Sequence, residues 1–318
     1  GHFAINPIQE QILQGEDVDF NVEQMHFTIQ QEFENEIKQS ISNLRKFSGP
    51  GRSIGFSYQE SSTDAYAFNP DGSPALGENG ELIKRPAGHG ALLDNLDLIQ
   101  EDIILIKNID NIQHWDHHSV SQRYWKLILS VLDNVQSEIH ALLDDFDLQR
   151  FEQINSKYQL IHTSDIQNWT NDEIVHSLKA PIRVCGMVRN VGQPGGGPYW
   201  VKEKTKLTKQ IVEKTQISSE QQSLMVKSTH FNPVMIALSS VDANGRKYDL
   251  KEFMDESKYF VVDKEYLGKK IRYCELPGLW NGSMSNWNTV FVEIPNQIFS
   301  PVKTVLDLLQ TVHQPIKK

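Results

Sequence analysis

The sequence has few cysteines, no long apolar run and fewer basic than acidic residues, and each scarcity excludes something. Only two of its 318 residues are cysteines, Cys185 and Cys274. Two thiols so far apart build no disulfide framework and lack the spacing of a metal site. They fit a reducing compartment, and the expected location is the cytoplasm. No apolar stretch approaches the ~18 residues that span a bilayer, so no membrane partner is expected. The N-terminus lacks the basic and apolar blocks of a signal peptide. Lysine and arginine number 31 against 41 aspartates and glutamates, a formal net charge of -10. An acidic surface repels polyphosphate backbones, so nucleic acid is not expected as a partner. A small phosphorylated ligand stays compatible where local dipoles or a metal offset that field. The chain also has no Gly-x-Ser-x-Gly elbow, and neither a Walker loop nor a dinucleotide-binding Gly-x-Gly-x-x-Gly.

Hydrophobic residues make up 39% of the chain, enough for one large core or two smaller ones. After Gly1 the chain enters an apolar stretch, His2-Phe3-Ala4-Ile5, which reads as a first strand. Such a start suits a domain cut from a longer chain, or a natural beginning. Residues 25–29 and 53–58 read as strands, with a helix over 30–46 between them. Turn signals fill 64–84. A glycine-rich turn opens a helix over 88–98, and 103–106, Ile-Ile-Leu-Ile, is apolar on both faces. Such a strand belongs in the middle of a parallel sheet covered by helices. Residues 119–148 carry the widest apolar stripe, from Val120 to Phe146, and read as one long helix, with a second to about 160. Strands follow over 182–188, 209–217, 234–239, 259–263, 271–275 and 288–294, and a last helix over 302–312. Alternating strands and helices predict an α/β protein with a doubly wound sheet. One domain of two parts is expected, 1–180 carrying the nucleotide side and 181–318 the sugar side.

The strongest local signal is Arg85-Pro86-Ala87-Gly88-His89-Gly90, followed by a helix and by the strand that ends in Lys107-Asn108-Ile109-Asp110-Asn111. Open α/β sheets bind ligands beyond the carboxyl ends of their strands, where Asp110 stands. A carboxylate there can hold a divalent ion against phosphate oxygens. Glycines at 88 and 90 allow close backbone approach. A plain turn with a capping aspartate is the simpler alternative.

These segments, with Phe56-Ser57-Tyr58-Gln59 upstream, resemble the nucleoside- and metal-binding segments of UDP-sugar pyrophosphorylases. The resemblance implies that Gln59, Pro86, Gly88, His89 and Gly90 meet the base, with Asn111 beside them. It implies that Asp110 holds Mg²⁺ and the diphosphate. Val184-Cys185-Gly186 resembles the strand of sugar nucleotidyltransferases whose glycine touches the sugar. Val212-Glu213-Lys214 resembles their pair for a sugar hydroxyl and its phosphate, and Thr229-His230-Phe231-Asn232 the segment whose Asn binds the sugar. The implied catalytic residues are Asp110 and Lys214, and the implied sugar contacts are Gly186, Glu213, Asn232 and Asn281. The implied fold is a mixed, mostly parallel sheet of the nucleotide-diphospho-sugar transferase (GT-A-like) type. The chain also resembles, along nearly its whole length, a bacterial family known only as a domain of unknown function. That likeness rests on 85–90, 107–111, Gly195-Gly196-Gly197-Pro198-Tyr199-Trp200 and 276–284.

Two departures stand out. Pyrophosphorylases carry a glycine-rich loop with a basic residue after their first strand. Here Ser48-Gly49-Pro50-Gly51-Arg52 follows a helix and reads as a turn. In the related family that loop belongs to a longer N-terminal region, which allows this chain to be the C-terminal part of a larger protein and makes the remainder a candidate partner. The second departure is Asn281, standing where such enzymes place a second metal-binding aspartate, and an amide is a weaker ligand for a hard cation. Three functions therefore stay open: nucleotidyl transfer between a nucleoside triphosphate and a sugar 1-phosphate, binding of a nucleotide sugar without turnover, and glycosyl transfer. His114, Asp116, His117 and His118 have helical metal-site spacing, but at the start of a long helix an exposed capping role is the simpler reading. Gly195-Gly196-Gly197 reads as a flexible connection, with a phosphate-holding nest or a covering loop as alternatives.

Overall fold

The computed structural model describes residues 5–18, 22–192, 195–203 and 206–316. The expected strand at His2-Phe3-Ala4 lies outside them. Its helices are α1 Pro7–Glu16, α2 Glu34–Ser48, α3 Leu92–Asp97, α4 His118–Asp144, α5 Leu148–Tyr158, α6 Thr163–Ile166, α7 Asn171–Leu178 and α8 Gln222–Val226. The strands are β1 Gln24–Ile29, β2 Ser53–Tyr58, β3 Ala65–Phe68, β4 Lys84–Arg85, β5 Ile103–Ile106, β6 Ile182–Arg189, β7 Gly197–Lys202, β8 Leu207–Val212, β9 His230–Ser239, β10 Phe260–Tyr266, β11 Lys269–Glu275 and β12 Asn288–Glu293.

The central sheet has the order β12-β6-β9-β5. Helix α4 covers one of its faces. Trp125, Ile128, Leu132, Val135, Ile139 and Leu142 recur three and four residues apart, all buried. That spacing draws one stripe along a helix, and the stripe packs on Val184 and Val188 of β6 and on Phe231, Met235 and Ala237 of β9. On the opposite face Cys185 and Met187 of β6 pack with Ile211, Ile236, Trp280 and Phe291. Strand β6 is thus buried on both sides along seven of its eight residues.

The α/β class agrees with the sequence, but the expected mostly parallel pairing does not. Among the described strands only β1 with β2 and β12 with β6 run parallel. The six other ladders are antiparallel. The cause is β9, which inserts antiparallel between β5 and β6. Strand β5 therefore ends the central sheet and does not run through its middle. Its apolar residues serve a second cluster, where Ile104 meets Leu93, Leu96, Leu238, Leu250 and Trp287, while Ile103 is exposed.

Three other boundaries moved. The long helix stops at Asp144, and Asp147 caps a separate α5 by accepting from the Arg150 amide. The last helix is replaced by two 3-10 turns, Val305–Leu309 and Thr311–His313, which leave Val305, Leu306 and Leu309 exposed. Helix α1 was not expected, although Asn6, Pro7 and Gln9 spell a capping box with proline at its first position. Residues 48–52 form the turn that closes a β1-α2-β2 crossover. Glu16 of α1 holds it by an ion pair to Arg45 at 2.5 Å and by accepting from the Arg52 amide at 3.1 Å.

Gly186 sits where β6 meets α4. A Cβ there would lie 2.8 Å from Cδ1 of Ile128 and 3.1 Å from Cδ1 of Ile294. Its hydrogen therefore faces the core. Gly186→Ala should destabilise the fold by about 1–3 kcal/mol through overpacking, and the loss should shrink in an Ile128→Val background that removes the nearest methyl. Urea denaturation of the double-mutant cycle checks both, and an undiminished loss would dissociate Gly186 from Ile128.

Candidate functional site

Two stretches nearly two hundred residues apart build the first half of the site. The turn at 86–90 lies along the segment that follows β11. Arg85 pairs with Glu275 and stacks over Tyr273 at 4.3 Å. Gly90 is where backbone meets backbone, because an added Cβ would stand 2.4 Å from the Leu276 carbonyl oxygen. Gly278 does the same from the other side, with the His89 ring 2.4 Å from where its Cβ would be. Gln59, just past β2, donates from Nε2 to the Ala87 carbonyl at 3.0 Å and so pins the turn. Pro86 and Gly88 are left exposed beside it.

His89 is held on three sides. Its Nδ1 accepts from the Leu279 amide at 3.0 Å, which leaves the proton on Nε2. Its ring stacks on Trp280 with centroids 4.3 Å apart. Its Nε2 faces Glu213 Oε1 at 3.6 Å, too far for a hydrogen bond. Burial pushes the His89 pKa down to about 4. Burial also raises that of Glu213, against a hydrogen bond from Trp280. Both groups thus move toward their neutral forms, and the contact is not an ion pair.

The second half is a small cleft of about 50 Å³ at the end of β5, lined by Asn108, Asp110, Asn111, Asn232, Trp280 and Lys303 among others. Asp110 pairs with Lys303, and its carbonyl accepts from the Val302 amide at 2.8 Å. Asn111 is buried, with Oδ1 accepting from Ser300 at 2.7 Å and Nδ2 left without a partner. Asn232 adopts a left-handed φ of 47° and receives the Gly196 amide on Oδ1 at 3.3 Å. The Gly195-Gly196-Gly197 stretch is therefore fastened at Gly196, next to the cleft. Trp280 belongs to both halves.

The structure gathers Gln59, His89, Gly90 and Glu213 at the turn, and Asp110, Asn111 and Asn232 at the cleft. It sets Asn281 behind the turn at Gly278 and does not bring Gly186 or Lys214 to either. Asn281 is buried behind Gly278, its Nδ2 donating to the Ile211 carbonyl at 2.8 Å and its Oδ1 left without a partner, 2.4 Å from the point where a Gly278 Cβ would also meet the His89 ring. Lys214 lies exposed on a 3-10 turn after β8. Sequence reasoning missed Lys303 and Trp280. Trp280 stood inside a motif already singled out, beside the amide that drew attention. Lys303 reaches Asp110 through the bridge of Asn111 to Pro301, a pairing with no local signal. No group of three His, Cys, Asp or Glu fit to hold a metal occurs among the described residues. Of the histidines at the start of α4, His114 accepts from the Asp116 amide, His117 meets the Gln314 carbonyl, and His118 is buried against Trp115 and not exposed.

The family model described as "Domain of unknown function (DUF4301)" matches residues 3–314. No curated protein matches. Among solved structures, a variant of UDP-glucose pyrophosphorylase from Leishmania major in complex with UDP-glucose is 14% identical, with a TM-score of 0.50 over 95% of this chain and 57% of that one. A second variant of it, also with UDP-glucose, gives 15% and 0.51 over the same shares. A uridine diphosphate N-acetylglucosamine pyrophosphorylase from Trypanosoma brucei in complex with an inhibitor gives 12% and 0.44 over 94% and 55%. At these identities the Leishmania likeness carries the fold alone. The chain spans a little over half the length of these structures. No helix among the described residues is long and apolar enough to cross a membrane.

The histidines make the fold acid-sensitive. Burial holds His89 and His118 at about 4, below their ordinary 6.5. Between those values the unfolded chain binds more protons, so the stability is complete above about pH 6.5 and is lost as the pH falls toward 4. Each histidine contributes up to one proton of slope, about 1.4 kcal/mol per pH unit. Denaturation midpoints across this range should fall with acid, less so in His89→Gln, and an equal fall in both would show His89 protonated in the fold.

Proposed function

Because this chain belongs to the DUF4301 family, whose reaction is open, we propose its function from the site: binding of a nucleotide sugar in a nucleotidyltransferase-like fold. One observation carries this reading. The turn at 86–90 and the cleft at Asp110 share the Trp280 wall, so a ligand with a flat base and a diphosphate would lie across both. In that reading Gln59, Gly88 and His89 meet the base. Neutral His89 keeps Nε2–H as a donor, and Glu213 accepts from a sugar hydroxyl. Lys303, already against Asp110, supplies the point charge for phosphate that we had expected of Lys214.

The donor set at the cleft is one carboxylate, already paired with the Lys303 ammonium, with amides around it. That suits a magnesium ion that arrives on ligand phosphates, where Asp110 would hold it, better than a resident ion. When bound, it would neutralise phosphate charge. Turnover, if this fold performs it, is an in-line displacement. An oxygen of the sugar phosphate bonds to the α-phosphorus as the bond to the departing pyrophosphate breaks. The residues on hand would contribute positioning and charge neutralisation. Binding without turnover is the second reading, favoured by Asn281, an amide whose Nδ2 donates to the Ile211 carbonyl and which supplies no second carboxylate.

A thermal-shift panel with UDP-, GDP-, ADP-, CDP- and dTDP-sugars, with and without Mg²⁺, tests the proposal. A ligand at ~100 times its dissociation constant adds ~2.7 kcal/mol to stability. One nucleotide sugar should stabilise the native chain, and His89→Ala and Asp110→Ala should abolish the shift. A silent panel, or a shift that survives both substitutions, would refute the site. Release of pyrophosphate from sugar 1-phosphate and nucleoside triphosphate separates turnover from binding.

A further inference from the structure

A second cavity, of about 610 Å³, lies between the end of α5, the α6 turn and β7, and it shares no lining residue with the cleft at Asp110. Its volume falls within the ~300–1,000 Å³ of small-molecule sites. Glu152, Ser156 and Gln159 line it from one face of α5 and its C-cap, four and three residues apart. Trp200 of β7 adds an aromatic wall, and the His162 ring meets it edge-on with centroids 5.0 Å apart. His162 Nδ1 accepts from the Ser164 amide at 3.2 Å, which leaves the proton on Nε2. Gln159 holds a left-handed φ of 52° where α5 ends. Glycine takes that conformation without strain and commonly ends helices there. Here the position carries an amide instead, and that amide lines the cavity. Asn155 fixes the turn behind it, accepting from the Ile161 amide at 2.8 Å and donating to the Ile161 carbonyl at 2.9 Å. The side chains of Glu152, Gln159 and Gln167 make no hydrogen bond or ion pair among the described residues.

The donor set narrows the ligand. No lysine or arginine lines the cavity, so an anion would meet Glu152 with no basic side chain to offset it. The Trp200 ring already lies under the Lys209 ammonium, 5.7 Å from its centroid. A ligand cation on that ring would meet this like charge with Glu152 alone to balance it. A wholly apolar ligand would strip Glu152, Gln159 and Gln167 of water and return no hydrogen bond. A sugar suits every group. Its hydroxyls donate and accept, as the two amides do, while Glu152 accepts and His162 Nε2 donates. Its C–H face can lie against the electron-rich face of an aromatic ring. We infer that this cavity is a second binding site, for a neutral saccharide, in which Gln159 and Glu152 hold the hydroxyls beside Trp200. The inference goes beyond the nucleotide reading and does not depend on it.

Calorimetric titration of the native chain with glucose, galactose, N-acetylglucosamine, maltose and cellobiose tests it, with choline chloride and inorganic phosphate as competitors. At least one saccharide should bind, and neither ion should displace it. Gln159→Gly relieves the backbone and should keep or raise the native urea midpoint, yet lose about tenfold in affinity for that saccharide. A residue that merely ends the helix would show no such loss. Glu152→Gln, at an exposed position, should also lose about tenfold with the fold intact, and it decides alone should Gln159→Gly prove unstable. Asp110→Ala should bind the saccharide as the native chain does. A native chain that binds none of the saccharides overturns the inference, as does affinity that survives both cavity substitutions. Loss of binding in Asp110→Ala would place the sugar at the first site and overturn it too. Displacement by choline or by phosphate would overturn the assignment to a neutral ligand.

Discussion

Everything in this molecule hangs on one strand being buried on both sides. Strand β6 offers Val184 and Val188 to α4, and Cys185 and Met187 to the layer that carries the site. A helix of 27 residues with an apolar stripe needs a wide flat partner, and the β6-β9 pair provides it. With that face closed, the candidate site is built from the other layer. The same alternation of side chains that points Val184 into the core points Arg183 toward Trp280. The site is thus fixed in place by the core packing behind it.

The site is also a meeting of glycines. The turn at 86–90 and the segment after β11 approach so closely that a Cβ at 90 or 278 would overlap the other chain segment. That closeness puts the His89 ring on Trp280 and hands its Nδ1 the Leu279 amide. The desolvation that follows lowers the His89 pKa. A neutral, oriented imidazole is therefore a consequence of backbone contact and not of a neighbouring charge. The Glu275 carboxylate opposes the shift without reversing it.

How much of this was legible depended on the range of the signal. Elements with their own periodicity or punctuation were readable: the α4 stripe, the β1-α2-β2 crossover, and the strands near 182, 271 and 288. Pairing direction was not. Ile-Ile-Leu-Ile is equally apolar in the middle of a parallel sheet and on an edge covered by Leu93, Leu96 and Trp287. Nothing in residues 103–106 announces that β9 will enter antiparallel beside them. The turn and the cleft were found because their residues are contiguous in sequence. Lys303 was not, because it reaches Asp110 only through a bridge spanning most of the chain. The 302–312 segment misled because its apolar residues suit a helix, yet it lies as 3-10 turns with most of them exposed.

The charge distribution resolves an apparent contradiction. A chain with a net charge of -10 should repel a diphosphate, and at long range it does. Surface carboxylates, however, are screened within about 10 Å at ordinary ionic strength. The buried groups behave differently. Arg183 and Lys209 both lie near the Cys185 thiol, and neither pairs with a carboxylate among the described residues. Burial lowers the Lys209 pKa to about 8, and its ammonium is held by the Tyr158 carbonyl at 2.9 Å. The interior beside β6 therefore holds two basic side chains although the surface is acidic. An acidic exterior discourages nucleic acid, whose many phosphates must meet surface charge. The small phosphorylated ligand we propose is compatible with such a chain, whereas a polynucleotide would have to meet the acidic surface along its length.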